Sequence, residues 1–420
     1  MLYADKVPST PNVPQQLTPP SRPDALRSHS ADLVPGLPPA ENKKFYPALD
    51  GLRALAVLMV FYAHYNLSPK PSLDWGWAGV NMFFVLSGFL ITGILYDTRN
   101  TAHRFRNFYV RRTLRIFPLY YGVLLVCLLL YPAFRWVWHP AWLMWPLYLN
   151  NYSRFIWETD YLKGTGLLDC LRSSRHIFRY PFFFYFGHFW SLAAEEQFYL
   201  VWPLVVFSVK NRVWLRNICL AVCIVVPIAR LACFFLIPHV YIESGLLLIA
   251  TPFRADGFLL GGLLALMLRG PEAAWLRKLA LPALFALTTT LFISEILYRI
   301  HVHHFITGAY TPTMSSIGYS VINVFCALLI LLALQPTSLC YRIFALRPLR
   351  QLGQISYGFY VFHDIPHPAY ILLIAHMGLS GRLFTFLIAV VGFACTLVLS
   401  YVSYRFYEAK FLRLKDRFTL

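Results

Sequence analysis

The chain has 420 residues, of which 58% are hydrophobic, 17% aromatic and only 13% charged, and it carries a formal net charge of +18. A soluble core cannot absorb that apolar share, so the composition points to an all-α, polytopic transmembrane helix bundle and excludes an ordinary soluble domain. The positive balance calls for no nucleic-acid partner, because the cations gather on one side of the apolar runs.

Residues 1–44 are rich in Pro, Ser and Gln and hold no apolar run, which predicts a disordered cytoplasmic tail. Ten stretches are then long and apolar enough to span a bilayer: 48–66, 77–96, 113–131, 188–208, 217–238, 245–268, 279–298, 313–335, 354–376 and 383–405. The first contains Arg53 and His64, eleven residues apart, so they share one helix face and lie roughly 16 Å apart along the axis. An arginine near a bilayer core costs about 2.5–3.5 kcal/mol on insertion scales, and a chain retains one for a partner or a task. Snorkelling of Arg53 toward Asp50 is the plainer reading of the same residue.

The second stretch, GVNMFFVLSGFLITG, places Ser87, Gly88, Thr92 and Gly93 in its interior, where small side chains admit close neighbours. The third opens with FYVRRTLRIFP, setting Arg112 and Arg115 one turn apart within a cationic patch that also includes Arg104, Arg106 and Arg111. Guanidinium forks on one face suit phosphate, although topology-setting charge also accounts for the patch. Residues 139–150, HPAWLMWPLYLN, are too short and aromatic for a span and read as an interfacial or re-entrant segment.

In the stretch 188–208, His188, Ser191, Glu195 and Tyr199 form a polar stripe that begins at the membrane depth of His64. That geometry allows Glu195 to orient His64 as a general base; a purely structural polar cluster is the alternative. Further on, Arg254 and Asp256 place opposite charges in one span, and ISYGFYVFH ends on an intramembrane histidine, His363. Each could line a polar cavity or pair within the bundle. His301, His303 and His304 have no ligand-spaced cysteine or carboxylate nearby, so no metal site is expected. Residues 408–420 form a basic tail, no appended soluble domain follows, and no internal repeat is evident.

With both termini cytoplasmic, the inner segments hold 24 Lys and Arg against nine outside, which favours a multi-pass protein of the cell membrane in that orientation. Six of the eight cysteines fall in spans (Cys127, Cys219, Cys223, Cys233, Cys326, Cys395), while Cys340 is inside and Cys170 outside, a scatter that gives neither a disulfide framework nor a zinc site.

Six strings in order, YPALDGLRALAVLMVFYAH, GVNMFFVLSGFLIT, RRTLRIFPLYY, HFWSLAAEEQFYLVWP, FRADGFLLGGLLA and ISYGFYVFH, closely resemble the acyltransferase-3 family of integral membrane O-acyltransferases over residues 45–405. The resemblance implies transfer of an acyl group, often acetyl, from cytoplasmic acyl-CoA to a hydroxyl of a glycan or lipid-linked acceptor. Acyl-CoA is then a co-substrate, and no permanently bound cofactor is expected. It places the family's Arg-x10-His element on Arg53 and His64, its Arg-x-x-Arg element on Arg112 and Arg115, and the glutamate of its Trp-Ser-Leu element on Glu195. The chain departs from many relatives at Asn81, where they carry an acid, and the soluble domain that some relatives fuse is not expected here. The expectation is therefore a donor held by Arg53, Arg112 and Arg115, with His64 and Glu195 catalytic. Asp50, Ser87, Ser191, Arg254, Asp256 and His363 are the candidates to line a continuous passage between them. A transporter or flippase using Arg53, Asp256, Glu195 and His363 as a substrate or proton path is the rival reading. The sequence assigns neither the acceptor, the acyl chain length nor the oligomeric state, and it does not separate direct transfer from a covalent acyl-histidine relay through the same residues.

Overall fold

The computed structural model describes residues 46–67, 75–134, 143–153, 186–236, 249–299, 314–379, 381–415 and 417–418. The expected tail 1–44, Cys170, residues 139–142 and the three loop histidines at 301–304 lie outside them. Every described element is helical and no strand occurs among the described residues, as an apolar chain that must satisfy its own backbone in lipid requires.

In chain order the helices are α1 (Pro47–His64), α2 (Ala78–Asp97), α3 (Arg104–Phe134), α4 (Phe189–Ser208), α5 (Arg212–Leu236), α6 (Ala255–Met267) and α7 (Ala273–Arg299). Then follow α8 (Tyr319–Ala333), α9 (Leu339–Phe344), α10 (Arg347–Gln354), α11 (Ser356–Phe362), α12 (His367–Ala375), α13 (Gly381–Val402) and α14 (Ala409–Lys415). Among the described residues six segments are long and apolar enough to cross a membrane: Ala78–Asp97, Arg104–Leu130, Arg212–Leu236, Ala273–Ile293, Ser316–Ala333 and Gly381–Lys415. The expectation of ten is thus met by six on length and apolarity, and the other four depart for identifiable reasons. Asp50, Arg53 and His64 lower the apolarity of α1, as Glu195 and Glu196 do for α4. In the described part of the stretch 245–268, α6 has 13 residues and follows a 3₁₀ turn at Thr251–Arg254 that contains Pro252. The stretch 354–376 breaks between α11 and α12, where Pro366 and Pro368 cannot continue a helix.

These four less apolar elements carry most of the polar residues singled out from the sequence. Around them, α7 turns only 6% of its spanning window inward, whereas α2 buries 78% and is the central helix. Leu125, Leu128 and Leu129 on α3 and Phe285 and Phe292 on α7 face outward, the apolar surface a bilayer covers. The segment from Leu143 to Asn150 is irregular: Tyr120 and Tyr121 of α3 donate to the Trp145 and Pro146 carbonyls at 2.8 Å each, and Gln197 of α4 donates to the Tyr148 carbonyl at 2.6 Å. Side chains of neighbouring helices thereby satisfy non-helical backbone, the condition under which it survives at membrane depth. The predicted basic tail continues α13 as helix to Lys415, and Arg111 pins its end by donating to the Lys415 and Phe418 carbonyls.

Small residues set the central spacing. A Cβ added at Gly88 of α2 would overlap the Phe258 carbonyl of α6, and one at Gly261 would overlap the Val85 carbonyl of α2. The two helices therefore touch backbone to backbone. Beside this crossing, Arg230 of α5 is fully buried and paired with both oxygens of Asp256 at 3.0 and 2.9 Å. It also donates to the carbonyls of Ser316 and Phe253, while Ser320 and Asn323 donate to Asp256.

Gly88→Ala is expected to destabilise the protein by about 1–3 kcal/mol or more, because the helix crossing cannot widen locally; thermal unfolding in detergent measures it. Asp256→Asn removes the counter-charge of a buried arginine and should cost about 3–5 kcal/mol in the same assay. A melting temperature equal to wild type would contradict either assignment.

Candidate active site

Two groups of polar side chains meet inside the bundle. The first lines a cavity of about 200 Å³ between α1, α2, α3, α4 and α11, with Arg53, Arg112, Arg115, Ser87, Ser191, Glu195, Glu196, Tyr199, Tyr357 and Tyr360 in its wall. Arg53 donates to Asp50 at 2.5 Å, one turn earlier on the same helix, so the plain Asp50 pairing and a cavity position hold together. Arg112 stacks its guanidinium over the Tyr199 ring at 5.0 Å. Neither Arg112 nor Arg115 donates a hydrogen bond to any described residue, which leaves their forks for a ligand. A smaller cavity, lined by Ile94, Phe108, Arg111, Arg112, Arg115 and Lys415, shares both arginines and extends the space toward the end where α2 stops and α3 starts. Arg104 and Arg106 line neither, and Arg104 instead donates to the Arg99 carbonyl at 2.8 Å.

Glu195 does not orient His64. Its carboxylate accepts from Ser87 at 3.0 Å and Tyr199 at 3.1 Å, and Tyr199 in turn contacts Ser87 at 2.9 Å. The stripe does begin at the depth of His64, but Glu195 lies seven residues beyond His188, about 10 Å deeper along α4. The position expected for Glu195 beside His64 is filled by His363.

The second group is a chain of imidazoles at the end of the bundle where α1 ends, α4 begins and α11 breaks. His64 Nδ1 lies 2.9 Å from His363 Nε2, and His363 Nδ1 lies 2.7 Å from the Tyr360 carbonyl. A carbonyl only accepts, so His363 carries its proton on Nδ1 and presents Nε2 as an acceptor. His64 then donates from Nδ1 and leaves Nε2 unprotonated, the tautomer of a general base. His188, also buried, points Nε2 at the Val361 carbonyl at 3.1 Å and Nδ1 at Asp364, 3.7 Å away; His367 holds the other Asp364 oxygen at 3.2 Å. Ligand atoms of His64, His363 and Asp364 lie within 4.8 Å of one another, a grouping able to take a metal ion. Within that grouping His64 and His363 are hydrogen-bonded to each other.

One wall separates the groups. Tyr360 lines the arginine cavity, its ring stands 5.5 Å from those of His188 and His363, and its hydroxyl pairs with Ser191 and donates to the His188 carbonyl. His64 is not part of the cavity lining, so the continuous passage expected from the sequence is closed here at Tyr360 and Ser191. Of the six predicted cavity residues, Ser87 and Ser191 line the space and Asp50 supports Arg53. His363 belongs to the imidazole chain. Arg254 and Asp256 lie apart, Asp256 with Arg230 and Arg254 donating to Asn81 at 2.8 Å over the Tyr319 ring. The sequence reading passed over Glu196, Tyr357, Tyr360 and Asp364. The i, i+3 spacing of Tyr357, Tyr360 and His363 carried a signal for two of them.

Residues 46–405 match the profile of a family described as an acyltransferase domain, the acyltransferase-3 family. The chain is 28% identical over 382 residues to the peptidoglycan O-acetyltransferase OatA of Listeria monocytogenes, covering 87% of this chain and 56% of that protein. It is 28% identical over 397 residues to the putative peptidoglycan O-acetyltransferase YrhL of Bacillus subtilis, with 88% and 55% covered. With the O-acetyltransferase OatA of Staphylococcus aureus it shares 26% identity over 387 residues, with 87% and 57% covered. The chain thus spans little more than half the length of these relatives. No solved structure matches it. With the family's profile covering all but the two ends of the chain, this multi-pass membrane protein belongs to the acyltransferase-3 family.

Proposed function

We propose that the chain is an O-acyltransferase of the cell membrane that moves an acetyl group from cytoplasmic acetyl-CoA to a hydroxyl of a cell-envelope glycan. The observation that carries this reading is the pair of guanidinium groups, Arg112 and Arg115, without acceptors among the described residues at the mouth of a cavity whose wall residue Tyr360 stands beside His363, the partner of His64. The forks suit the pyrophosphate and ribose phosphate of the donor, Arg53 adds charge deeper in, and the thioester end reaches Tyr360 and Ser191. Both termini then face the cytoplasm, as the charge asymmetry favours. The names of the relatives support acetyl as the group and a peptidoglycan sugar as the acceptor. The transport reading of the same residues gains nothing from them.

In the reaction the acceptor oxygen attacks the thioester carbonyl, and His64 Nε2 takes the hydroxyl proton. The collapsing intermediate expels the thiolate, which is reprotonated as free coenzyme A. His363 holds the His64 tautomer and spreads the positive charge that the imidazole gains. Transfer needs the Tyr360–Ser191 wall to part, so that carbonyl and imidazole share one space.

His64→Ala is expected to lower acetyl transfer by roughly 10²–10⁴, the usual contribution of a general base, with the melting temperature in detergent close to wild type. His363→Leu should lower kcat and leave the KM for acetyl-CoA nearly unchanged, whereas Arg112→Gln with Arg115→Gln should raise that KM at least tenfold. Thiol release from acetyl-CoA by the purified protein, and mass spectrometry of envelope glycans from cells with and without the gene, read these effects. Full activity in a folded His64→Ala protein would refute the assignment.

A further inference from the structure

Glu196 is a carboxyl side chain of the arginine cavity that the proposed reaction leaves unused. It lines the cavity beside Glu195, about 100° round α4 from it, and its Oε1 is buried without a hydrogen-bond partner among the described residues. The phenols around it donate elsewhere: Tyr120 to the Trp145 carbonyl, Tyr121 to the Pro146 carbonyl, Tyr357 to the Ile116 carbonyl and Tyr199 into the Ser87–Glu195 set. Tyr148 alone is also unpartnered at its hydroxyl, and it does not line the cavity. An acceptor left unmet inside a protein is costly, and the usual resolution is a ligand or a water that supplies the missing donor.

We propose that Glu196 is a donor-binding residue that accepts a hydrogen bond from an amide N–H of the pantetheine arm of acyl-CoA. This rests on the reading of the cavity as the donor site. Of the chemical parts of that donor, the phosphates match the arginines and the acyl end is apolar. The arm, with two amide N–H groups and a hydroxyl, supplies what a bare carboxylate lacks. Glu196 lies on the way, one position along α4 from Glu195 and five from Ser191, between the guanidinium mouth and the wall at Tyr360. Glu195, with both oxygens occupied by Ser87 and Tyr199, is closed to the same role.

The test is equilibrium binding to the full-length protein in detergent, by calorimetry, with two probes: coenzyme A, and adenosine 3′,5′-bisphosphate, which keeps phosphates but has no arm. Glu196→Ala should weaken coenzyme A at least tenfold and leave the bisphosphate within about twofold, while Glu196→Gln, which keeps an acceptor oxygen, should stay within about threefold for both. Arg112→Gln should weaken both probes. Glu196→Met, apolar and of similar volume, gives the same readout should the alanine variant fail to fold. Unchanged coenzyme A affinity in a folded Ala or Met variant overturns the inference while leaving the donor site intact, and so does equal weakening of both probes. Tyr148→Phe reproducing the loss overturns it too, since Glu196 would then serve an internal partner. Wild-type protein that binds no coenzyme A overturns the donor-site reading itself and this inference with it.

Discussion

The hydrogen bond between His64 Nδ1 and His363 Nε2 ties the end of the first helix to the break between α11 and α12, and the functional arrangement depends on it. It exists because the polypeptide stops being helical at His363–Pro366, which frees the His363 ring and turns it against the Tyr360 carbonyl. That carbonyl fixes the His363 proton on Nδ1, His363 fixes the His64 proton on Nδ1, and the unprotonated Nε2 of His64 follows. A backbone group thus sets the protonation pattern of the His64 imidazole two hydrogen bonds away, with no carboxylate hydrogen-bonded to it among the described residues. The same break brings Asp364 beside His188 and His367, adding negative charge behind the imidazoles.

Cost and use are aligned across the bundle. The outer helices are apolar and expose leucine and phenylalanine to lipid, while α1, α4, α6 and α11 are short, broken or polar and lie inside, where each ionisable group can find a partner or a cavity. Two fates follow for the buried charges. Arg230 and Asp256 saturate each other with neighbouring hydroxyls and amides, which makes them a structural knot. Arg112, Arg115 and Glu196 have no side-chain hydrogen bond to another described residue and stand in the wall of a space, and polar groups in that state suit ligands. The dividing line between the two fates is hydrogen-bond satisfaction rather than burial.

Much of this was legible in the residues. Helical periodicity placed Arg53 and His64 on one face, put Arg112 and Arg115 together one turn apart, and assigned Ser87 and Ser191 to a polar interior; all but His64 line the cavity. What failed was partner choice. Equal membrane depth at the start of α4 was extended to Glu195, although seven residues of helical rise carry that carboxylate out of reach, and it binds Ser87 instead. The pairing of Asp256 with Arg230 and of His64 with His363 joins residues 26 and 299 positions apart, and periodicity within one segment is silent about which helices become neighbours. The count of ten spans is not confirmed by the described helices for a related reason. Apolar windows register neither the prolines at 366 and 368 nor the turn before Ala255, so broken interior elements read as uninterrupted crossings.

The central claim is that a donor enters by the Arg112–Arg115 mouth and presents its acyl end at the wall shared with the histidines. A cryo-electron-microscopy map of the protein with a non-hydrolysable thioether analogue of acetyl-CoA tests it most directly. The account predicts phosphate density against Arg112 and Arg115, the arm passing Glu196, and the acyl end at Tyr360 and Ser191. Density for the analogue elsewhere, for instance around Arg254 or on the lipid-facing surface, with this cavity empty, would contradict it.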